Sequence, residues 1–562
     1  MANQNAVLDL ANLNAFVDAL DLKQWLETDI ERIKESGTEG EIQVEFALVD
    51  VRERGVQAED GHIIHSVPLP YGELEILAPR LLPRLSVAIV VVDGEGGSLA
   101  RRAAHRLRLL GYKKVAVLAG GTQGWADGGL PLYTGVSAYT KAFGEWVEHI
   151  YRTPSISANE LAQKLQAKEP VVLVDGRSRS EFIQFSIPGA VSVPNAELPY
   201  RIHSLLKDEQ TLVVVNCAGR TRSIIGAQAL INSGIRNPVV ALRNGTMDWL
   251  KFGYELQSDI YVAADDPDDR ALAKIKSSVY HLSQQFGLEW IEHSRFLRLK
   301  EESHLRTLYV FDVRTEQEFI EGHLPGAIWA EGGELVQWLD RHVAVRNARI
   351  VLVDDEDGAR AAITASWLTQ LNVAEIYLLR TTQAQRRESG RTNVAASQPV
   401  VPLLSPAEVH ATLAEWLVFD VGTSHEYRAG HIPGALFLQR AGIDVGAIKA
   451  ELQGRRLALT SNDGLRAAWV ADELKEAFPD VAVIAGGNTA WAKYGFALEQ
   501  ASDDALKQVR DVPPWPYAEK DRQKAFDEYL AWEIRLLDEV SADPSVQYRV
   551  PEFLKPTNSM VA

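Results

Sequence analysis

One phrase recurs four times along the 562-residue chain, and it constrains the fold more than any other feature. An apolar, strand-like run ends in Asp: Leu48-Val-Asp50-Val-Arg52, Leu173-Val-Asp175-Gly-Arg177, Val310-Phe-Asp312-Val-Arg314 and Val418-Phe-Asp420-Val-Gly422. Three copies continue into Ile187-Pro-Gly-Ala190, Leu324-Pro-Gly-Ala327 and Ile432-Pro-Gly-Ala435, where the first reads Gly61-His-Ile-Ile-His-Ser66. Successive aspartates are 125, 137 and 108 residues apart, so the repeating unit is a whole domain and not one turn of a solenoid.

A second phrase follows each first one: a buried-type strand, a short polar loop, then a helix. Its copies are Ile89–Val92 into Ala100–Leu110, Leu212–Val215 into Ser223–Asn232, Ile350–Val353 into Ala361–Gln370, and Leu457–Leu459 into Ala467–Ala477. A third phrase closes most copies with a Gly-rich turn before Trp: Gly120-Gly-Thr-Gln-Gly-Trp125, Asn244-Gly-Thr-Met-Asp-Trp249 and Gly486-Gly-Asn-Thr-Ala-Trp491, with Arg380-Thr-Thr-Gln-Ala in the third copy. Such alternation indicates an α/β fold with a mainly parallel sheet flanked by helices, and functional groups at the C-terminal strand ends. The expected modules span 1–140, 141–258, 259–398 (with a charged connector, Asp265-Asp-Pro-Asp-Asp269, running into a linker helix) and 399–502. A tail, 503–562, follows Val512-Pro-Pro-Trp-Pro516; in it Phe526, Tyr529, Leu530, Ile534 and Leu537 recur at helical spacing and predict a helix packed on the body.

Composition narrows the class. Hydrophobic residues make up 46 % and charged residues 24 %, ordinary for a globular protein. A net charge of −18 disfavours nucleic acid and anionic membranes as partners. A single cysteine excludes an intrachain disulfide and a Cys-rich zinc site. Met1–Leu20 carries Asp9 and Asp18 and no basic residue, unlike the charged start of a secretory signal, and runs such as Leu85–Val92 are too short to span a membrane. The expectation is a cytoplasmic protein with a free thiol, its oligomeric state open.

That thiol is Cys217, in Val213-Val-Val-Asn-Cys217-Ala218-Gly219-Arg220-Thr221-Arg222-Ser223. It ends a buried strand and opens a loop into a helix. Loop N–H groups, the positive end of the helix and two arginines all favour the thiolate, and the same cradle would hold an anionic substrate or adduct. The bland reading is a buried structural cysteine. Two arginines within five residues are costly beside an inert thiol, which favours the reactive reading.

Over about residues 15–502 the chain resembles the rhodanese family, with four modules in tandem: the Asp-Val-Arg phrase, the Pro-Gly-Ala turn, the strand–Cys-loop–helix and the closing Gly-Gly…Trp stand in the family's order. The resemblance implies a sulfurtransferase whose cysteine takes sulfane sulfur from a donor such as thiosulfate, becomes a persulfide and passes the sulfur to cyanide or a thiol. Ala218, Gly219, Arg220, Thr221, Arg222 and Ser223 would bind substrate and stabilise the persulfide. Cys217 to Arg222 is C-x4-R, shorter than the C-x5-R loop of phosphatase-type relatives. The two arginines suit thiosulfate better than 3-mercaptopyruvate, whose transferases usually carry a Gly-rich loop. The alternatives are a non-turnover persulfide carrier or scaffold docking a partner enzyme, or 3-mercaptopyruvate as donor.

Aligned without gaps, Cys217 falls on Gly94, Asp355 and Ser461, and Arg222 on Leu99, Arg360 and Arg466, so modules one, three and four are expected to be silent. Asp175 and Arg177 either support the active-site mouth or form a pair fixing the loop; recurrence of the Asp in modules without cysteine favours the pair. His62 and His65 form H-x2-H, but His62 matches His323 and His431 and so belongs to a turn. No metal and no cofactor is expected.

Overall fold

The structure, a computed structural model, describes residues 16–27, 45–392, 394 and 396–555, leaving out the side chains of 503 and 504. Most of the acidic N-terminal stretch read above therefore lies outside the described residues. Among them, no helix is long and apolar enough to cross a membrane.

Each module carries one parallel sheet with the same strand order. In module two it runs Ser155–Ile156, Val239–Leu242, Leu212–Asn216, Val171–Asp175, Val191–Ser192. The central strand reads as an unbroken apolar run because both its faces are covered. Val213 and Val215 point into one core with Leu198, Ile202 and Leu230; Val214 points into the other with Phe182, Ile187 and Trp249. Modules three and four repeat the order around the central strands Arg349–Asp354 and Arg456–Thr460, and module one around Ala88–Val92.

The modules do not pair in sequence order. One compact unit, over the described residues 16–22, 46–136, 394 and 396–514, holds modules one and four. The other, over the described residues 23–27, 45, 137–392 and 515–555, holds modules two and three together with the part of the tail from residue 515.

The place read as a histidine turn is a backbone bridge. His62 pairs with Tyr133, His323 with Glu388, His431 with Glu499, and in module two Ser186 with Gln257. Because the main chain makes the bridge, Ser fits as well as His.

The tail helix runs over Arg522–Ser541, with its stripe displaced from the expected one. Ile534 is half exposed, whereas Glu533 is fully buried alongside Phe526, Leu530, Leu536 and Val540. Phe526 and Leu530 cluster with Met247 of module two, which orients the helix and carries a carboxylate inward.

Candidate active site in module two

Cys217 follows the strand Leu212–Asn216 and precedes the helix Thr221–Asn232, and it is only 2 % exposed. Its carbonyl accepts from Thr246 N–H at 2.9 Å, and Ala218 O accepts from Met247 N–H at 3.2 Å. This contact explains the closing glycine: Gly245 has φ +53°, and a Cβ there would stand 2.1 Å from Cys217 O. Asn195 Nδ2 donates to Arg222 O at 3.0 Å, and Ser223 Oγ to Arg220 O at 2.8 Å. The loop is thus held from both sides by its own module.

The same contact corrects the gapless alignment. The amide that bonds Cys217 O corresponds to Thr122 N–H on Asp93 O, Thr381 N–H on Asp354 O and Asn488 N–H on Ser461 O. The counterparts of Cys217 are therefore Asp93, Asp354 and Ser461, not Gly94 or Asp355. The helices begin at Ser98, Ala359 and Leu465, so Leu99, Arg360 and Arg466 do match Arg222. Modules one and three carry one more loop residue, an insertion that a gapless alignment absorbs into the wrong position.

The loops without a cysteine hold side chains of their own at that position. Asp93 accepts from the amides of Glu95, Gly96, Gly97 and Ala100. Asp354 Oδ2 accepts from Ala361 N–H at 2.9 Å, and Ser461 Oγ from Ala467 N–H at 3.4 Å. Ala100, Ala361 and Ala467 all match Ser223. An anion at this point meets converging N–H groups at a helix start. In module three, Asp354, Asp355 and Asp357 lie within 4.8 Å of one another, but Arg360 bonds the first two.

Both loop arginines are engaged by carboxylates. Arg220 Nε and Nη2 bond Glu145 at 2.7 Å each, Nη2 also meets Glu148 at 2.5 Å, and Nη1 reaches Asn244 Oδ1 at 3.1 Å. Glu145 and Glu148 lie on the helix Ala138–Tyr151, which straddles the expected start of module two at 141 and gave no sign of its role. Arg222 bonds Glu181 through Nη1 at 2.6 Å and Nη2 at 2.8 Å, and Nη1 lies 3.3 Å from Glu334 of module three. Burial opposes the ionised form of Glu181, yet the Arg222 charge and hydrogen bonds pull it down to about 2. Burial lifts Glu145 to about 7 against the pull of Arg220.

The Arg222 arrangement is a repeated one. Arg360 bonds Glu318 of its own module and Glu197 of module two; Arg466 bonds Glu426 of its own module and Glu73 of module one. Glu73, Glu197 and Glu334 stand at one repeat position after the short edge strand, where module four has Gly442; in module one, Leu99 replaces the arginine. Recurrence of a glutamate at that position was the signal that could have revealed the module pairs.

Asp175 and Arg177 form a fully buried pair: Arg177 Nε donates to Oδ1 and Nη2 to Oδ2, both at 2.9 Å, and Nη2 also donates to Phe185 O at 2.6 Å. Asp50–Arg52 and Asp312–Arg314 repeat this geometry. Asn216 Nδ2, next to the cysteine, donates to Asp175 Oδ2 at 2.8 Å, which ties the pair to the loop.

The tail adds groups that sequence reasoning missed. Tyr517 Oη donates to Ala218 O at 2.9 Å and lies 2.6 Å from Thr246 Oγ1. Thr221 Oγ1 donates to Glu533 Oε1 at 2.5 Å, and Lys141 Nζ donates to Tyr529 Oη at 2.6 Å and to Glu533 Oε1 at 3.3 Å. Burial, with Glu533 beside it, pushes the Tyr529 hydroxyl up to about 12.

The rhodanese-like domain model matches the chain four times, over residues 29–127, 157–252, 294–381 and 405–494. The crystal structure of a thiosulfate sulfurtransferase from Pseudomonas aeruginosa superimposes with a TM-score of 0.87 at 34 % identity, covering 96 % of this chain and all of that one. A sulfurtransferase from Allochromatium vinosum is 34 % identical over 98 residues, 17 % of this chain and 89 % of the relative. Four matched domains and a full-length structural relative lead to one conclusion: the chain belongs to the rhodanese family of sulfurtransferases.

Proposed function

We propose that the protein is a thiosulfate sulfurtransferase that works through a single persulfide on Cys217. The observation that carries this reading is the position of the sulfur. In the three silent loops, the side chain at the same point accepts N–H groups of the loop or of the first helical turn, as an anion would. In module two that point belongs to a thiol. The Cys217 thiolate attacks the outer sulfur of thiosulfate, an S–S bond forms, and the bond to the sulfonate sulfur breaks as sulfite leaves. The terminal sulfur is then held by amides from Ala218 to Ser223, and cyanide or a thiol removes it.

In this reading Arg220 and Arg222 act with their carboxylates attached, shaping the loop and lending it part of their charge. Asp175 and Arg177 brace it from beneath. Similarity to the Pseudomonas aeruginosa enzyme supports thiosulfate as donor. A cytoplasmic location belongs to the same proposal. Steady-state kinetics with thiosulfate and cyanide should be ping-pong, and Cys217→Ser should abolish turnover with folding intact. Cys217-dependent hydrolysis of an aryl phosphate, or turnover with 3-mercaptopyruvate alone, would contradict it.

A further inference from the structure

The family's domain match ends at residue 494, yet the tail beyond it places Glu533 in the cysteine loop. Glu533 is fully buried. Oε1 is taken by Thr221 and Lys141, whereas Oε2 has no hydrogen-bond partner among the described residues. That free oxygen faces the loop: a Cβ on Gly219, two residues after the cysteine, would stand 3.5 Å from it and 3.5 Å from the Tyr529 ring. A buried carboxylate oxygen without a donor costs free energy unless a ligand supplies one.

We infer that Glu533 Oε2 receives the proton of a neutral thiol acceptor during sulfur discharge, so that the tail makes module two selective for proton-bearing acceptors over anionic ones. The inference rests on the persulfide reading above. In the step, the acceptor sulfur attacks the outer sulfur of the Cys217 persulfide and forms a new S–S bond. The bond to Sγ breaks, Cys217 leaves as thiolate, and the thiol proton passes to Glu533. The product departs as a persulfide anion. Lys141 and Thr221 hold Oε1, which fixes the carboxylate so that Oε2 remains turned to the loop. An anion such as sulfite brings no proton and meets the charge of Glu533 instead.

The test is the ratio of two discharge rates from sulfur-loaded full-length protein at about pH 8.5, with 2-mercaptoethanol, still mostly a neutral thiol, and with sulfite as acceptors. Glu533→Gln should lower the thiol-to-sulfite ratio at least about tenfold, thiol discharge falling and sulfite discharge rising. Lys141→Gln, which leaves Glu533 without its cation, should raise the ratio and reads the proposal independently should the first variant not fold. An unchanged ratio in either folded variant, including equal loss with both acceptors, would overturn it. Loading of the wild type by thiosulfate is scored separately, so failure of the donor reading is a distinct result; polysulfide then supplies the sulfur and the ratio is still read.

Discussion

Arg222 Nη1 lies 3.3 Å from Glu334 Oε1, so a module without a cysteine places a carboxylate on the arginine of the cysteine loop. Burial holds Glu334 above the ordinary carboxylate range, with Arg222 pulling the other way. A carboxylate raised in the folded state costs stability at neutral pH, so Glu334→Gln should leave the thermal midpoint unchanged or higher. It should also lower KM for thiosulfate about two- to fivefold, the effect of a partly exposed charge pair. Thermal unfolding and steady-state kinetics check both; a lower midpoint with a higher KM would show that the contact serves the opposite purpose.

Glu145 predicts a pH dependence. Its carboxyl is lifted by burial to about 7, so the folded protein keeps a proton that the unfolded chain loses at the ordinary value. The stability it contributes is full below the unfolded value and is lost as pH rises through about 7. Between about pH 5 and about pH 7.5, wild type should lose on the order of 1–3 kcal/mol relative to Glu145→Gln. Parallel denaturant titrations of the two proteins measure this, and parallel pH curves would refute it.

Gly245 presses against the carbonyl of Cys217 in a left-handed conformation. Gly245→Ala should cost roughly 2–4 kcal/mol, from both the backbone and the clash, and should impair sulfur loading. Gly253 has φ +82° with nothing within 4 Å of a Cβ, so Gly253→Ala carries the backbone strain alone and should cost less. Equal losses at the two sites would show that the contact with Cys217 is unimportant.

Tyr517 covers the loop from the tail through its bond to Ala218 O. Tyr517→Phe should cost about 1 kcal/mol. Tyr517→Ala should additionally speed alkylation of Cys217 by iodoacetamide, since the cysteine is only 2 % exposed and Tyr517 is bonded to the residue that follows it. No change in alkylation rate would mean that access to the thiol is controlled elsewhere.

The sequence revealed the fold because each module repeats its strand-end aspartate and turns, and periodicity is local. What it concealed depends on distance. Nothing near Arg220 in sequence foretells Glu145 or Glu148, and the pairing of module one with four and two with three is set by contacts hundreds of residues apart. The extra residue in the loops of Asp93 and Asp354 was hidden because both flanking elements align without it. Reading Ile534 as buried missed Glu533, the acid that the Phe526 and Leu530 face turns inward.

The most direct test of the central claim is intact-protein mass after incubation with thiosulfate, followed by cyanide. The account predicts a gain of one sulfur atom that cyanide removes as thiocyanate over repeated cycles, and no gain in Cys217→Ser. A gain that survives the loss of Cys217, or a wild type that gains nothing from thiosulfate, would contradict it.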